Sequence, residues 1–322
     1  GYVSNDKDFE EVREFFEASM PKYEIKKLGL KEKLYLYKAY LWYNFITQNF
    51  VGSYRYAQKW VDLFYYNPRM KKNNPVFYLK GINYLLESLF LNQHLSKFRS
   101  TLNFFEEELN KQQFLLNENT ESLAFLYLYL NKLNLYFLEG NFNKGLKLIP
   151  EVLEEIENHK LKIDEHHIMV FYYKFASLYF GASKYEQCIF YLEKIIKNKN
   201  LTMREDLLCF SRILNLVAHY EAGMDQNLDV LIKSTYKFLI KMNELHLVQK
   251  KFITFLRNLS QIYPHELKGA FIELHKELKA FEDHPYEKRS FMYLDIISWL
   301  ESKIDNVSVE SIIKRKSRLQ YK

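Results

Sequence analysis

Apolar residues recur along this chain at three- and four-residue spacing, which predicts helices almost throughout. Near the start, Phe9, Val12, Phe15 and Phe16 form one stripe on a helix from Asp6 to Met20, and Pro21 ends it. A long helix dense in Leu and Tyr, with Trp42 and Phe45, runs from Leu30 to Phe50 and turns at Val51-Gly52. Its antiparallel partner runs from Ala57 to Tyr66 and stops at Asn67-Pro68. A short basic link, Arg69 to Asn74, leads to Pro75, which is placed to open the next helix.

Further helix pairs follow. The second runs from Val76 to Leu91, turns at Asn92-Gln93-His94 and returns to about Leu109. The third runs from Glu121 to Leu138 and from Phe142 to about His159. Pro150 inside its returning helix removes a backbone hydrogen bond and predicts a kink. The fourth spans Glu165 to Phe180 and Tyr185 to Lys197; the fifth spans Arg204 to Tyr220 and Leu228 to Met242. A less regular sixth covers Leu245 to Ile262 and His265 to Phe281. Asp283-His284-Pro285 opens a last helix through Trp299 to about Ile304. No segment follows the period of two that marks a strand.

Between the members of five pairs the same short turn recurs, beginning at Gly52, Gln93, Gly140, Ser183 and Gly223, in steps of 41, 47, 43 and 40 residues. Its clearest copies read Gly52-Ser53-Tyr54-Arg55-Tyr56-Ala57, Gly140-Asn141-Phe142-Asn143-Lys144-Gly145 and Ser183-Lys184-Tyr185-Glu186-Gln187-Cys188. A step of this size is the mark of a stacked helical array. The turns resemble the tetratricopeptide repeat, which takes a small residue at position 8, an aromatic at 11, Gly at 15, Tyr at 17 and a small residue at 20. The fourth unit fits best, with Ala176, Tyr179, Ser183, Tyr185 and Cys188; the third departs at Leu133. The second and fifth are degenerate, with Leu95 and Asp225 at the turn aromatic and Phe98 and Leu228 at the small position. The resemblance implies an all-α, right-handed superhelix of five to six antiparallel helix pairs. Units longer than the motif keep HEAT-like arrays as the nearest alternative.

Two stretches in the last third resemble an uncharacterised family of repeat proteins from Bacteroidetes bacteria. One runs from Met203-Arg204-Glu205-Asp206 through Asn215-Leu216 to His219-Tyr220-Glu221. The other runs from Ala280-Phe281 through Asp283, Pro285 and Glu287-Lys288-Arg289 to Ser298-Trp299-Leu300-Glu301-Ser302-Lys303. That family implies no activity, but its members extend further N-terminally. The chain begins with Gly1 rather than Met, which fits a missing N-terminal region. The expectation is one domain: an N-terminal helix (1–30), repeats (31–282), a capping helix (283–313) and a basic tail (314–322).

Composition narrows the function. The hydrophobic fraction of 48% is ample for a core, and 9 Gly and 6 Pro leave little material for hairpins or long linkers. Aromatic residues make up 17%, which suits bulky side chains filling gaps between long helices; a base-stacking platform is the alternative. Of the net charge of +6, five charges come from Lys314, Arg315, Lys316, Arg318 and Lys322, leaving about +1 for the rest. A basic stripe of the kind nucleic-acid binders carry is therefore not evident on the body. Lys, Asn, Glu or Gln interrupts every apolar stretch, so no transmembrane helix is expected. Cys188 and Cys209, in apolar surroundings and outside any C-x-x-C pair, read as reduced core thiols of a cytoplasmic protein.

Candidate chemistry is sparse. Asp164-Glu165-His166-His167 gathers metal-ligating types, but consecutive helical residues point about 100° apart. Asp164 reads better as a helix N-cap. His265-Glu266 and His275 lack zinc-site spacing, and no phosphate loop or nucleophile elbow occurs. Asp295, interrupting an apolar run, reads as an ion-pair partner of Arg289 or Lys288 rather than a catalytic acid. No metal, cofactor or enzymatic activity is expected. By analogy with the motif, positions 2, 5 and 9 of each first helix face a concave groove. These are Lys80, Asn83 and Glu87, then Tyr127, Leu130 and Asn134, then Val170, Tyr173 and Ser177. Asn83, Glu87, Tyr127, Asn134, Tyr173 and Ser177 are the candidate contacts to a protein or peptide partner. The expected function is an interaction scaffold. The alternatives are a nucleic-acid-binding array and an enzyme with an unrecognised site. A groove filled by the protein's own terminal helix is the competing expectation for these positions.

Overall fold

The computed structural model describes residues 2–111, 117–158, 161–198, 205–242, 245–291 and 295–319. Met203, Arg204, Leu294, Lys322 and the expected helix end at His159 lie outside these, as does the side chain of Arg289. Among the described residues the chain is all-helical, with no strand, and its helices pack against neighbours in sequence. No helix among them is long and apolar enough to cross a membrane.

The chain divides into two compact units, Gly1–Leu135 and Tyr136–Lys322. The first holds α1 (Asp6–Ser19), α2 (Leu30–Ile46), α3 (Phe50–Tyr65), α4 (Pro68–Asn73), α5 (Pro75–Leu91), α6 (Leu95–Asn110) and most of α7 (Glu118–Glu139). The second opens with the last turn of α7, then α8 (Phe142–Gly145), α9 (Ile149–Glu157), α10 (Glu165–Gly181) and α11 (Tyr185–Ile196). It continues with α12 (Glu205–Glu221), α13 (Leu228–Lys241), α14 (Leu247–Asn258), α15 (Leu267–Lys279), α16 (Ile296–Asp305) and α17 (Val309–Leu319).

The recurring turn is a left-handed helix stop. Gln48, Gln93, Gly140, Ser183 and Gly223 all have φ between 54° and 67°. At each, the next residue donates its N–H five residues back: Asn49 to Asn44, His94 to Leu89, Asn141 to Tyr136, Lys184 to Tyr179 and Met224 to His219, at 2.8–3.0 Å. This is the Schellman geometry, which satisfies carbonyls that the helix end leaves free. Asn306, at φ 53°, closes α16 in the same way.

These turns correct the register of the first unit. Its stop is Gln48, four residues before Gly52, which sits inside the first turn of α3. Counted from Gln48, the unit carries Phe50 at the turn aromatic and Ser53 at the small position, and both are buried. Gly52 is required for another reason: a Cβ there would lie 1.8 Å from the Asn44 carboxamide.

Three further differences have local causes. The returning helix of the third pair is broken rather than kinked: α8 passes through a 3₁₀ turn, Leu146–Leu148, and Pro150 opens α9. A proline ring clashes with the carbonyl four residues earlier, here Leu146, so the α-helix cannot continue past it. The last long helix begins at Ile296, not near Pro285, because Asp295 caps it by accepting from Ser298 N at 2.8 Å. Finally, Lys314 to Leu319 are not a tail. They form the end of α17, where Lys314 pairs with Glu310, Arg315 with Asp305 and Lys316 with Glu301.

Within the second unit, α16 and α17 turn back over earlier elements. Trp299 is fully buried and meets Phe252, Phe271 and Tyr220 edge-on, with centroids 5.6–6.2 Å apart. The backbone of α17 comes so close to Gly140 that a Cβ there would lie 3.0 Å from Lys314 N.

Candidate functional site

The groove positions of the first unit lie on α5 and α7, which Asn131 links. Its Nδ2 donates to Asn83 Oδ1 at 3.1 Å and to the Tyr127 carbonyl at 2.7 Å. Asn134 Nδ2 in turn approaches Asn131 Oδ1 at 3.4 Å. Asn134 Oδ1 is buried without a hydrogen-bond donor among the described residues. A buried acceptor left open costs about 1–3 kcal/mol. Glu87 is exposed beside this chain of carboxamides. Burial, and after it the nearby Tyr84 and Glu87, pushes Tyr127 up to about 12, so its phenol stays a neutral donor at ordinary pH.

The register correction adds the residues that sequence spacing missed. With Gln48 taken as position 15 of the motif, its positions 2, 5 and 9 on the first helix become Tyr35, Lys38 and Trp42. Tyr35 is 57% and Trp42 44% exposed. Tyr35 meets Phe77 on α5 at 6.4 Å and 81°, and Trp42 meets Tyr84 on α5 at 5.9 Å and 76°. The first unit thus presents a face of aromatic pairs on α2 and α5, bordered by carboxamides on α5 and α7.

In the second unit the corresponding positions do not form such a face. Tyr173 is 2% and Ser177 8% exposed, and Ser177 Oγ donates to the Tyr173 carbonyl at 2.9 Å, so the expected exposure of these two is corrected. Their helix, α10, turns this edge into the core, out of reach of a docked segment. A separate cleft of about 550 Å³ lies between α14 and α15, floored by Leu247, Phe255, Ile262 and Leu274. The Lys251–Glu277 ion pair, at 2.5 Å, joins its two helices.

The other chemistry is structural. Asp164 caps α10, accepting from His167 N at 2.9 Å and bonding the His167 ring at 2.7 Å. Asp295 serves the cap described above, with Ser298 Oγ at 2.5 Å on its second oxygen. Among the described residues no group of three or more His, Cys, Asp or Glu converges as a metal site. Cys188 and Cys209 are both buried thiols, and burial raises the Cys188 pKa, leaving it protonated. No protein-family model, curated protein or solved structure matches the chain.

Proposed function

We propose that this chain is a protein-interaction module whose first unit docks an extended segment of another protein across α2, α5 and α7. In this reading its helix pairs stack in the manner of tetratricopeptide repeats, in a reducing compartment such as the cytoplasm. The observation that carries it is the exposure of Tyr35 and Trp42 on one helix, each paired with a ring of α5 at the same seven-residue spacing. Exposed Trp and Tyr are the residues that dominate binding energy at interfaces. Against a phosphate ligand stands the pairing of Lys314, Arg315 and Lys316 with carboxylates of the same chain.

The reading is tested by panning a random-peptide display library on the immobilised chain and on Trp42→Ala. Peptides enriched by the chain are expected to lose at least about tenfold in affinity on the variant, the scale of an anchor residue. Equal binding to both would place the docking surface elsewhere.

A further inference from the structure

Resting on that docking reading, we infer that the docked segment is a proline-rich strand in the polyproline II conformation, with an acidic residue between two prolines three positions apart. The two exposed rings on α2 are seven residues apart. Seven helical residues span about 10.5 Å and return to within about 20° of the same direction. Their partners on α5, Phe77 and Tyr84, have the same spacing, so the rings form two nearly perpendicular pairs along parallel helices. A polyproline II strand repeats every three residues, about 9.3 Å, so prolines at i and i+3 fall on one side, one over each pair. In a β-strand, same-side residues fall at about 6.6 Å and about 13 Å, and neither matches.

A partner helix would also offer a spacing of seven residues. Its carbonyls, however, are engaged within the helix, and this face offers donors for free ones. Trp42 Nε1 has no hydrogen bond to another described residue, whereas Trp60 Nε1 donates to the Phe77 carbonyl and Trp299 Nε1 to Glu221. Polyproline II leaves every carbonyl unbonded, and aromatic-lined grooves read it by this combination of ring contact and carbonyl capture.

Charge supplies the third requirement. Lys38 and Lys80 each follow the first ring pair by three residues on their helices, which sets them between the two pairs. Neither has a carboxylate partner among the described residues. Two lysines there complement an acidic side chain carried between the two prolines.

The test is fluorescence anisotropy of labelled, acetylated peptides on the full chain. A core of Pro-Glu-Glu-Pro is expected to bind at least about tenfold more tightly than Ala-Glu-Glu-Ala or Pro-Lys-Lys-Pro, the loss typical of one anchor or buried charge pair. Tyr35→Ala and Trp42→Ala remove the binding, while Lys38→Glu with Lys80→Glu reverses the preference toward Pro-Lys-Lys-Pro. These side chains lie at the surface, and an unchanged circular dichroism spectrum confirms that the variants fold. Equal affinity for the alanine core, or no reversal by the paired lysine changes, overturns the inference. If panning yields peptides that need Trp42 but lack the proline spacing, this inference fails and the docking reading survives. If no peptide needs Trp42, both fail.

Discussion

The indole of Trp299 donates to the Glu221 carboxylate at 2.6 Å, joining the C-terminal helices to the end of α12 across 78 residues. Lys303, one turn further along α16, reaches the same carboxylate at 2.5 Å. Glu221 is thus held by two side chains of α16. Replacing Glu221 by Gln leaves the Lys303 ammonium without its counter-charge and weakens the indole bond. Because the Glu221 side chain is 8% exposed, the expected loss is about 2–4 kcal/mol, read as a fall in the urea midpoint. An unchanged midpoint would mean that this contact does not hold the C-terminal helices in place.

The helix stops give a prediction of opposite signs. Gln93 and Ser183 occupy left-handed backbone at exposed positions, where an L side chain is strained. Gln93→Gly and Ser183→Gly should each stabilise by about 0.5–1 kcal/mol, the relief of strain exceeding the added entropy of the unfolded chain. Gly140→Ala should destabilise by more than that, since it combines φ +65° with a Cβ 3.0 Å from Lys314 N. Thermal unfolding of the three variants checks both signs.

Close approach, not backbone angle, governs Gly81. A Cβ there would lie 2.7 Å from Trp60 Cδ1, and the Trp60 ring is 1% exposed with its N–H held by Phe77. Overpacking should therefore outweigh the helix propensity of alanine, and Gly81→Ala should cost about 1–3 kcal/mol. Gly269→Ala on α15 meets nothing within 4 Å and should stabilise by about 0.5–1 kcal/mol. Denaturant midpoints of the pair separate packing from propensity.

Alkaline pH should unfold the chain through its tyrosines. Tyr127 and Tyr191 are pushed up to about 12, mainly by burial and secondarily by neighbouring phenols and carboxylates. A phenol of raised pKa binds its proton more tightly when folded than when unfolded, where it titrates near 10. Stability is then intact below pH 10 and falls as pH rises through about 12. Denaturation midpoints measured across that window should decline, and a flat profile would show that these rings are not buried in solution.

Much of the helix pattern is legible from spacing, and the bounds of α5, α10 and α11 fall within a residue or so of those expected. The register of the first unit is not, for a specific reason. Gly52 lies four residues after the true stop at Gln48, about one helical turn, so Tyr54 and Ala57 imitate the aromatic and small positions that Phe50 and Ser53 hold. Glutamine is a rare left-handed stop, and the nearest glycine draws the alignment. That slip hid Tyr35 and Trp42. The burial of Tyr173 and Ser177 was hidden differently, because helical spacing assigns a residue to a face but not what that face meets.

The indole N–H resonances of the three tryptophans test the docking account most directly. Trp60 and Trp299 are buried and hydrogen-bonded, while Trp42 is 44% exposed with no bond to another described residue. Titrating the chain with a panned peptide in a nitrogen–proton correlation experiment should shift the Trp42 signal, assigned by its loss in Trp42→Phe, and leave the other two in place. A peptide that binds while the Trp42 signal stays fixed would contradict the account.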